Sequence, residues 1–402
     1  MDTKITGISL RKMFDSSGNF TVEATVALKS SIAVASAPSG KSKGKTEVAS
    51  FPEGNVDTGI GNFKHLEPKL VGESVEAQGN IDAILNDNVV IVGGNVTTAV
   101  SIAVARAAAT CNCMELFEYV HGKLTKKFGM GIGVPRPLGN VIGGGLHSLN
   151  SGMSVQEILV ATESQSAEKN VAINSELHKT IGQYALKHTT SPVGVNIERA
   201  WVLPFDEIES LEIVSRLKSE LEEKYGVKIT MAMDLAASSI YREGKYAYGS
   251  RKLSTVGQIE FAAALNEKYG VGILEDPFDE EDYASFAKLN KAIGRNALIV
   301  GDDLYTTNAK RIEEGAKMHA TNAVLVKVNQ IGTLTETIRA VAVAVRNDMA
   351  TIISHRSSET TDPFIAHLGT AFGSKYIKTG TVGGERIAKL NELMRIDNIL
   401  NG

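Results

Sequence analysis

The 402-residue chain has only two cysteines, Cys111 and Cys113, and they stand two apart in TCNCMELFEYV. That spacing is too short for an ordinary disulfide and matches no zinc framework, so a reduced, cytoplasmic setting is expected. The chain lacks any apolar run of membrane-spanning length, and its first residues, MDTKITGISLRKMF, are too charged for a signal peptide. Neither a membrane partner nor export is expected. It lacks a basic excess as well: the net charge is -4 and the pI about 6.1, which gives no electrostatic reason to expect nucleic acid. A dinucleotide fingerprint is missing too, because MGIGVPRP and IGGGLH do not follow a strand and open a helix in the G-x-G-x-x-G manner.

What is present is a composition suited to a large core, 43% hydrophobic and 22% charged. This predicts two domains, or one with an attachment. From Ile5 to about Lys29, ITGISLRKMF and FTVEATVALK alternate around the turn cluster DSSGN, which reads as an antiparallel hairpin. A Gly/Ser/Lys loop, APSGKSKGK, follows. Helical stretches are then expected around Ser74–Leu85 and, as one long alanine-rich central helix, Thr97–Lys126. From Gly129 onward, short apolar strands alternate with amphipathic helices such as EIESLEIVSRLKSELEEKYG and TETIRAVAVAVRNDM. That rhythm fits a β/α barrel better than an open doubly wound sheet. The expected division is a capping domain over residues 1–128 and a catalytic barrel over 129–402.

Three of the apolar runs end in a carboxylate: Asp234 in ITMAMDLAAS, Glu275 in GVGILEDPF and Asp302 in ALIVGDDLYTTN. A parallel barrel presents the residues at its strand ends together at one mouth, so three such acids can converge on a hard cation. Carboxylate oxygens with room for water and substrate suit Mg²⁺ better than zinc or iron, and Mn²⁺ fits equally. A fourth run, TNAVLVKVNQIG, delivers Lys327 to the same place, where a lysine is a candidate proton acceptor. Taken singly, each acid would more ordinarily start a loop or cap a helix. The ordered set on successive strands argues against that.

The segments FDSSGNFTVEATV, APSGKSKG, GGGLHSLN, VQEI, LEDPFDEED, GDDLYTTN, KVNQIGTL, SHRSSETTD and IKTG fall in the order of the enolase family, which the chain resembles over nearly its whole length. The resemblance implies an α+β capping domain on a β/α barrel that opens with an antiparallel strand pair. It also implies Mg²⁺-dependent, reversible dehydration of 2-phosphoglycerate, a small phosphorylated carboxylate, by a homo-oligomer. Asp234, Glu275 and Asp302 match the family's metal ligands, Lys327 its base and Lys378 the lysine on the substrate carboxylate. Ser42, in the lid loop, matches the residue that reaches a second metal, so two ions are expected. His147, Gln156 and Glu157 match residues lining the mouth. In SHRSSET, Arg356 offers a bidentate fork to phosphate, Ser357 a hydroxyl and His355 an imidazole donor.

The chain departs from the family at one chemically important place. Where relatives carry an Asp-Glu pair whose glutamate helps protonate the departing hydroxyl, an ungapped match puts Val195 and Asn196 in GVNIERAWVLP. Glu198, two residues on, is the candidate replacement acid if the strand is bulged or shifted; otherwise it is a solvated loop acid. The lid is also more cationic, with Lys41 and Lys43, and one-residue indels fall between His147 and Glu157 and after IKTG. Two alternatives therefore stand beside ordinary turnover: α-proton abstraction from another carboxylic acid, and a non-catalytic binding protein of the same fold.

Overall fold

The computed structural model describes residues 2–40, 44–148 and 151–402. The amino-terminal part begins with strands β1 (Gly7–Phe14) and β2 (Phe20–Ala27), paired antiparallel from Gly7↔Ala27 to Phe14↔Phe20. Asp15 Oδ1 closes the turn by accepting from the amides of Ser17 and Asn19. A third strand, β3 (Ile32–Ser36), pairs with β2. The sequence reading passed over it, since IAVAS is too short to display alternation. Val22, Ala24 and Val26 form the buried face of β2 against the helix Gly94–Cys111. The alanines of that helix allow its backbone to approach the sheet closely.

The long helix expected over Thr97–Lys126 is broken. Gly94–Cys111 ends at Asn112, Cys113 adopts φ 53°, and the chain restarts at Leu116 with a 94° bend. The capping box that Glu115 forms with Glu118 starts the second segment. Alanine propensity carried the expectation through this break, while the asparagine and cysteine that end the helix gave a weaker signal. Among the described residues no single helix is long and apolar enough to cross a membrane.

The remainder is a closed eight-stranded barrel. Its strands are β4 (Arg136–Gly143), β5 (Glu157–Thr162), β8 (Ile229–Asp234), β12 (Val271–Glu275), β13 (Leu298–Gly301), β14 (Ala323–Val326), β15 (Ala350–Ser354) and β16 (Tyr376–Gly380). Neighbours in that order are hydrogen-bonded, and β16 returns to β4 in parallel register from Tyr376↔Arg136 to Gly380↔Asn140. Two short strands, β6 (Gly194–Val195) and β7 (Trp201–Val202), extend the sheet beside β4. A separate small sheet of β9 (Tyr241–Arg242), β10 (Lys245–Tyr248) and β11 (Arg251–Ser254) follows β8.

Side chains alternate across the barrel wall, as the two-residue period of a strand requires. Leu138, Leu159, Ala232, Ile273, Val300, Leu325 and Ile352 form one compact apolar cluster, while Val324 and Val326 belong to the larger core shared with the helices. Helix starts are capped by local oxygens: Asp206 Oδ1 accepts from Ile208 and Glu209, and Thr333 Oγ1 from Glu336. The segment IGGGLH leaves β4 but opens only a 3₁₀ turn, Gly145–His147, so it provides no helix start for a phosphate.

One strand runs against the rest. β5 is antiparallel to both β4 and β8, pairing Glu157 with Gly143 on one side and Asp234 on the other. A reversed strand offers its first residue, not its last, to the mouth. Glu157 therefore stands level with Asp234.

Candidate active site

The strand ends bring the expected residues together. Asp234 and Glu275 are the last residues of β8 and β12, and Asp302 and Lys327 follow β13 and β14 directly. All four strands are largely buried, and their ends form the floor of the barrel mouth. Lys378, within β16, places Nζ 3.0 Å from Glu157 Oε2, 2.9 Å from Asp234 Oδ2 and 2.8 Å from Glu275 Oε2. Lys327 Nζ is ion-paired to Asp302 Oδ2, whose other oxygen accepts from Gln330 Nε2 at 3.0 Å. Gln156 Nε2 donates to Asp234 Oδ2 at 3.0 Å.

The electrostatics follow from burial and crowding. Burial and the neighbouring Asp234 charge push Glu275 well above the usual carboxylate range. Burial opposes ionisation of Asp302 too, but Lys327 and Lys378 outweigh it and hold its pKa down. Desolvation and Asp302 raise Asp303 to about 7. Both lysines lose solvation, which favours the neutral amine, yet the surrounding carboxylates leave their pKa values raised, Lys378 strongly so. Such a set of buried carboxylate oxygens carries more negative charge than it can hold comfortably, and only hard oxygen donors are offered. It fits a divalent cation of the magnesium type.

Among the described residues three groups of potential ligand atoms lie within 4.8 Å of one another: Asp276, Asp302 and Asp303; His147, Glu157 and Glu198; and, away from the barrel mouth, Glu115, His367 and Glu392. Of the three expected metal carboxylates, only Asp302 is in such a group; Asp234 and Glu275 are instead gathered about the Lys378 ammonium. Asp276 accepts from the amides of Asp302 and Asp303 and so braces the loop that carries them. Ser42 lies outside the described residues.

Glu198 is buried at the mouth. Its Oε1 lies 3.4 Å from His147 Nδ1, its Oε2 3.6 Å from His355 Nε2, and Asn140 Nδ2 donates to it at 3.2 Å. Glu157 Oε1 is also 3.4 Å from His147 Nδ1. The local shift comes from Asn196, whose Oδ1 accepts from the amides of both Glu198 and Ala200. That turn, with Arg199 at φ 66°, draws Glu198 inward while Val195 on β6 remains 41% exposed. A Cβ on Gly143 would lie 2.1 Å from Asn196 Nδ2, so the glycine makes room for the turn. Burial would raise the Glu198 pKa, but His147 above all, with Glu157, Arg386 and Lys378, holds it at about 2. His147 is raised in return: burial alone would lower it, and Glu198 and Glu157 outweigh that.

The SHRSSET loop leaves β15 and turns toward the cap. Arg356 Nη2 binds both oxygens of Glu47 at 3.1 and 2.9 Å, and Nη1 donates to Asn329 Oδ1 at 2.8 Å. Asn329 also donates to Pro38 O, which ties barrel and cap together. His355 is buried and its pKa is pushed well below the ordinary value, by desolvation first and Arg386 second. Sequence reasoning missed Glu47, Asn329, Gln330 and Arg386. Asn329 and Gln330 are the NQ of KVNQIG, and Arg386 stands in GGER just past IKTG, so position was the only signal.

A cavity of about 20 Å³ is lined by His147, Gln156, Glu157, Glu198, Lys327, Ser354, His355, Arg356, Ser357 and Lys378. Every expected catalytic and substrate residue is on its wall. A groove of about 790 Å³ opens beside it, sharing His147 and walled in part by Val195, Ile197 and Leu203.

Residues 5–120 match the family model "Enolase, N-terminal domain" and residues 132–402 match "Enolase, C-terminal TIM barrel domain". The chain belongs to the enolase family. It is 41% identical to the enolase of Picrophilus torridus and 43% to that of Thermoplasma acidophilum, in both cases over the whole of each chain. It is 40% identical to the enolase of Halorubrum lacusprofundi, over 98% of each. Enolase membership thus extends through the Asn196–Glu198 turn without a break in the barrel.

Proposed function

We propose that this protein catalyses the reversible dehydration of 2-phosphoglycerate to phosphoenolpyruvate as a Mg²⁺-dependent lyase of glycolysis and gluconeogenesis. The observation that carries the reading is that two proton-transfer groups, Lys327 and the Glu198–Glu157 pair, line one small cavity at the barrel mouth. Removal of a proton next to a carboxylate creates a doubly charged aci-carboxylate, which cations must stabilise. The use of a Lys or His base with one or two Mg²⁺ ions in enolase-superfamily sites is a general pattern. Asp234, Glu275 and Asp302 would hold one such ion and Ser42 would reach a second, supplying that charge stabilisation.

Lys327 takes the α-proton through Nζ. Burial, Arg356 and Lys378 all favour its neutral amine, and the opposing pull comes from Asp302 and Glu275, both candidate metal ligands. Lys378 is placed to hold the substrate carboxylate, and Arg356 and Ser357 the phosphate. Glu198, with Glu157, serves the leaving hydroxyl: the Glu198 carboxylate, ionised in the free protein, first takes a proton from the His147 imidazolium 3.4 Å away and passes it to the hydroxyl, which departs as water and leaves His147 neutral. The cavity is too small for a phosphorylated hydroxy acid, so binding requires the Glu47–Arg356 contact to yield.

We place the domain boundary between residues 128 and 129, the protein in the cytoplasm and its assembly as a homo-oligomer with no nucleic-acid or membrane partner. A purely binding role is disfavoured because buried convergent charge is costly to keep without chemistry to use it. The test is the rise in ultraviolet absorbance as phosphoenolpyruvate forms from 2-phosphoglycerate and Mg²⁺. No rise with any divalent cation would overturn the reading.

A further inference from the structure

The helix Gly384–Asn401 begins directly after β16 and carries two buried cations one turn apart, Arg386 and Lys389. Both reach back to the loop that follows β15. Lys389 Nζ donates to Thr360 O at 2.8 Å and Asp362 O at 3.0 Å, and pairs with Glu359 Oε2 at 2.9 Å. Arg386 Nη1 donates to Arg356 O at 2.7 Å and lies 2.9 Å from His355 Nδ1, while Nη2 donates to Ser357 O at 2.6 Å. Room for Arg386 depends on Gly380, where a Cβ would lie 2.8 Å from both Arg386 Cγ and Glu198 O.

A guanidinium has donors and no acceptor. His355 Nδ1 must therefore accept, which places the ring proton on Nε2, the nitrogen facing Glu198 Oε2 at 3.6 Å. Deep burial beside a permanent cation keeps the ring neutral in that form. Contacts of this length commonly tighten only when substrate is bound.

We propose that Arg386 is a positioning residue of the active site: it fixes His355 as the Nε2–H tautomer, so that His355 donates toward Glu198 and steadies the carboxyl that serves the departing hydroxyl. The functional part of this proposal rests on the dehydration chemistry above; the tautomer does not. The hydrogen bonds of Arg386 go to His355, Arg356 O and Ser357 O, and none goes to Lys327 or to the carboxylates about Lys378. Its loss should therefore separate the two halves of the reaction.

The experiment uses full-length protein labelled with ¹⁵N-histidine, with His355 assigned by its disappearance in His355→Gln. Long-range ¹H–¹⁵N spectra should show a neutral ring protonated on Nε2 in the wild type. In Arg386→Lys, which keeps a buried cation but not the fork, the two tautomers should mix. Phosphoenolpyruvate formation at saturating substrate should fall about 10–100-fold, the usual scale for a supporting residue, and KM should rise because the fork also holds Arg356 and Ser357, while α-proton exchange at saturating substrate stays within a few fold of wild type. An Nδ1-protonated or doubly protonated His355 in the wild type would overturn the proposal, and so would equal losses of exchange and dehydration in the variant. If Arg386→Lys does not fold, the wild-type spectrum decides alone. A wild type that shows the Nε2–H ring but makes no phosphoenolpyruvate would defeat the dehydration reading and leave the tautomer assignment standing.

Discussion

Glu198 Oε1 lies 3.4 Å from His147 Nδ1, inside a barrel mouth that an ungapped reading of the sequence would have left to Val195 and Asn196. Asn196 achieves this through its side-chain oxygen, which binds the amides of Glu198 and Ala200 and folds the chain inward. The acid stands two residues beyond the position that an ungapped match gives it, beside the histidine.

That pair has a pH signature. A carboxyl held at about 2 in the folded protein, against an ordinary 4.5, contributes stability that is fully present above pH 4.5 and is lost as pH falls toward 2. Full burial makes the contribution about 3 kcal/mol at most, by the size of the shift. Denaturant unfolding of wild type and Glu198→Gln at pH 6, 5, 4 and 3 should show a stability gap that is constant down to about pH 5 and then narrows. A gap that widens with acid would contradict the assignment.

Lys327→Ala should abolish exchange of the α-proton of 2-phosphoglycerate with solvent deuterium. Metal affinity should change little, because Asp234, Glu275 and Asp302 remain. Nuclear magnetic resonance of the substrate in D₂O checks the first point and calorimetry the second. Persistent exchange would remove Lys327 from the role of base.

Asp302→Ala tests the metal site. The lost carboxylate is one of three anionic donors, and its loss also frees Lys327 and Gln330 from their shared partner. Titration of Mg²⁺ into this variant should show no binding in the range where the wild type saturates. Wild-type affinity would mean that the cation is held elsewhere, with the His147–Glu157–Glu198 group the next place to look.

Much of this site was legible because strands announce their ends. Asp234, Glu275, Asp302 and Lys327 each close an apolar run, and a parallel barrel turns that linear pattern into proximity. Glu157 escaped the same logic because β5 runs backward and presents its first residue, which nothing in its alternation reveals. Glu198 was visible as a candidate only; its inward turn depends on an asparagine making two backbone bonds. The break after Cys111 and the short β3 were hidden by helix propensity and by brevity. Arg386 could not be read at all, since its meaning lies in a contact with His355, 31 residues away.

The most direct measurement compares two rates in one variant. Glu198→Gln should form phosphoenolpyruvate roughly two to four orders of magnitude more slowly than wild type, the usual scale for a general acid, while exchanging the substrate α-proton at a nearly unchanged rate. Dehydration at the wild-type rate in Glu198→Gln, with a severe loss in Glu157→Gln instead, would contradict the account.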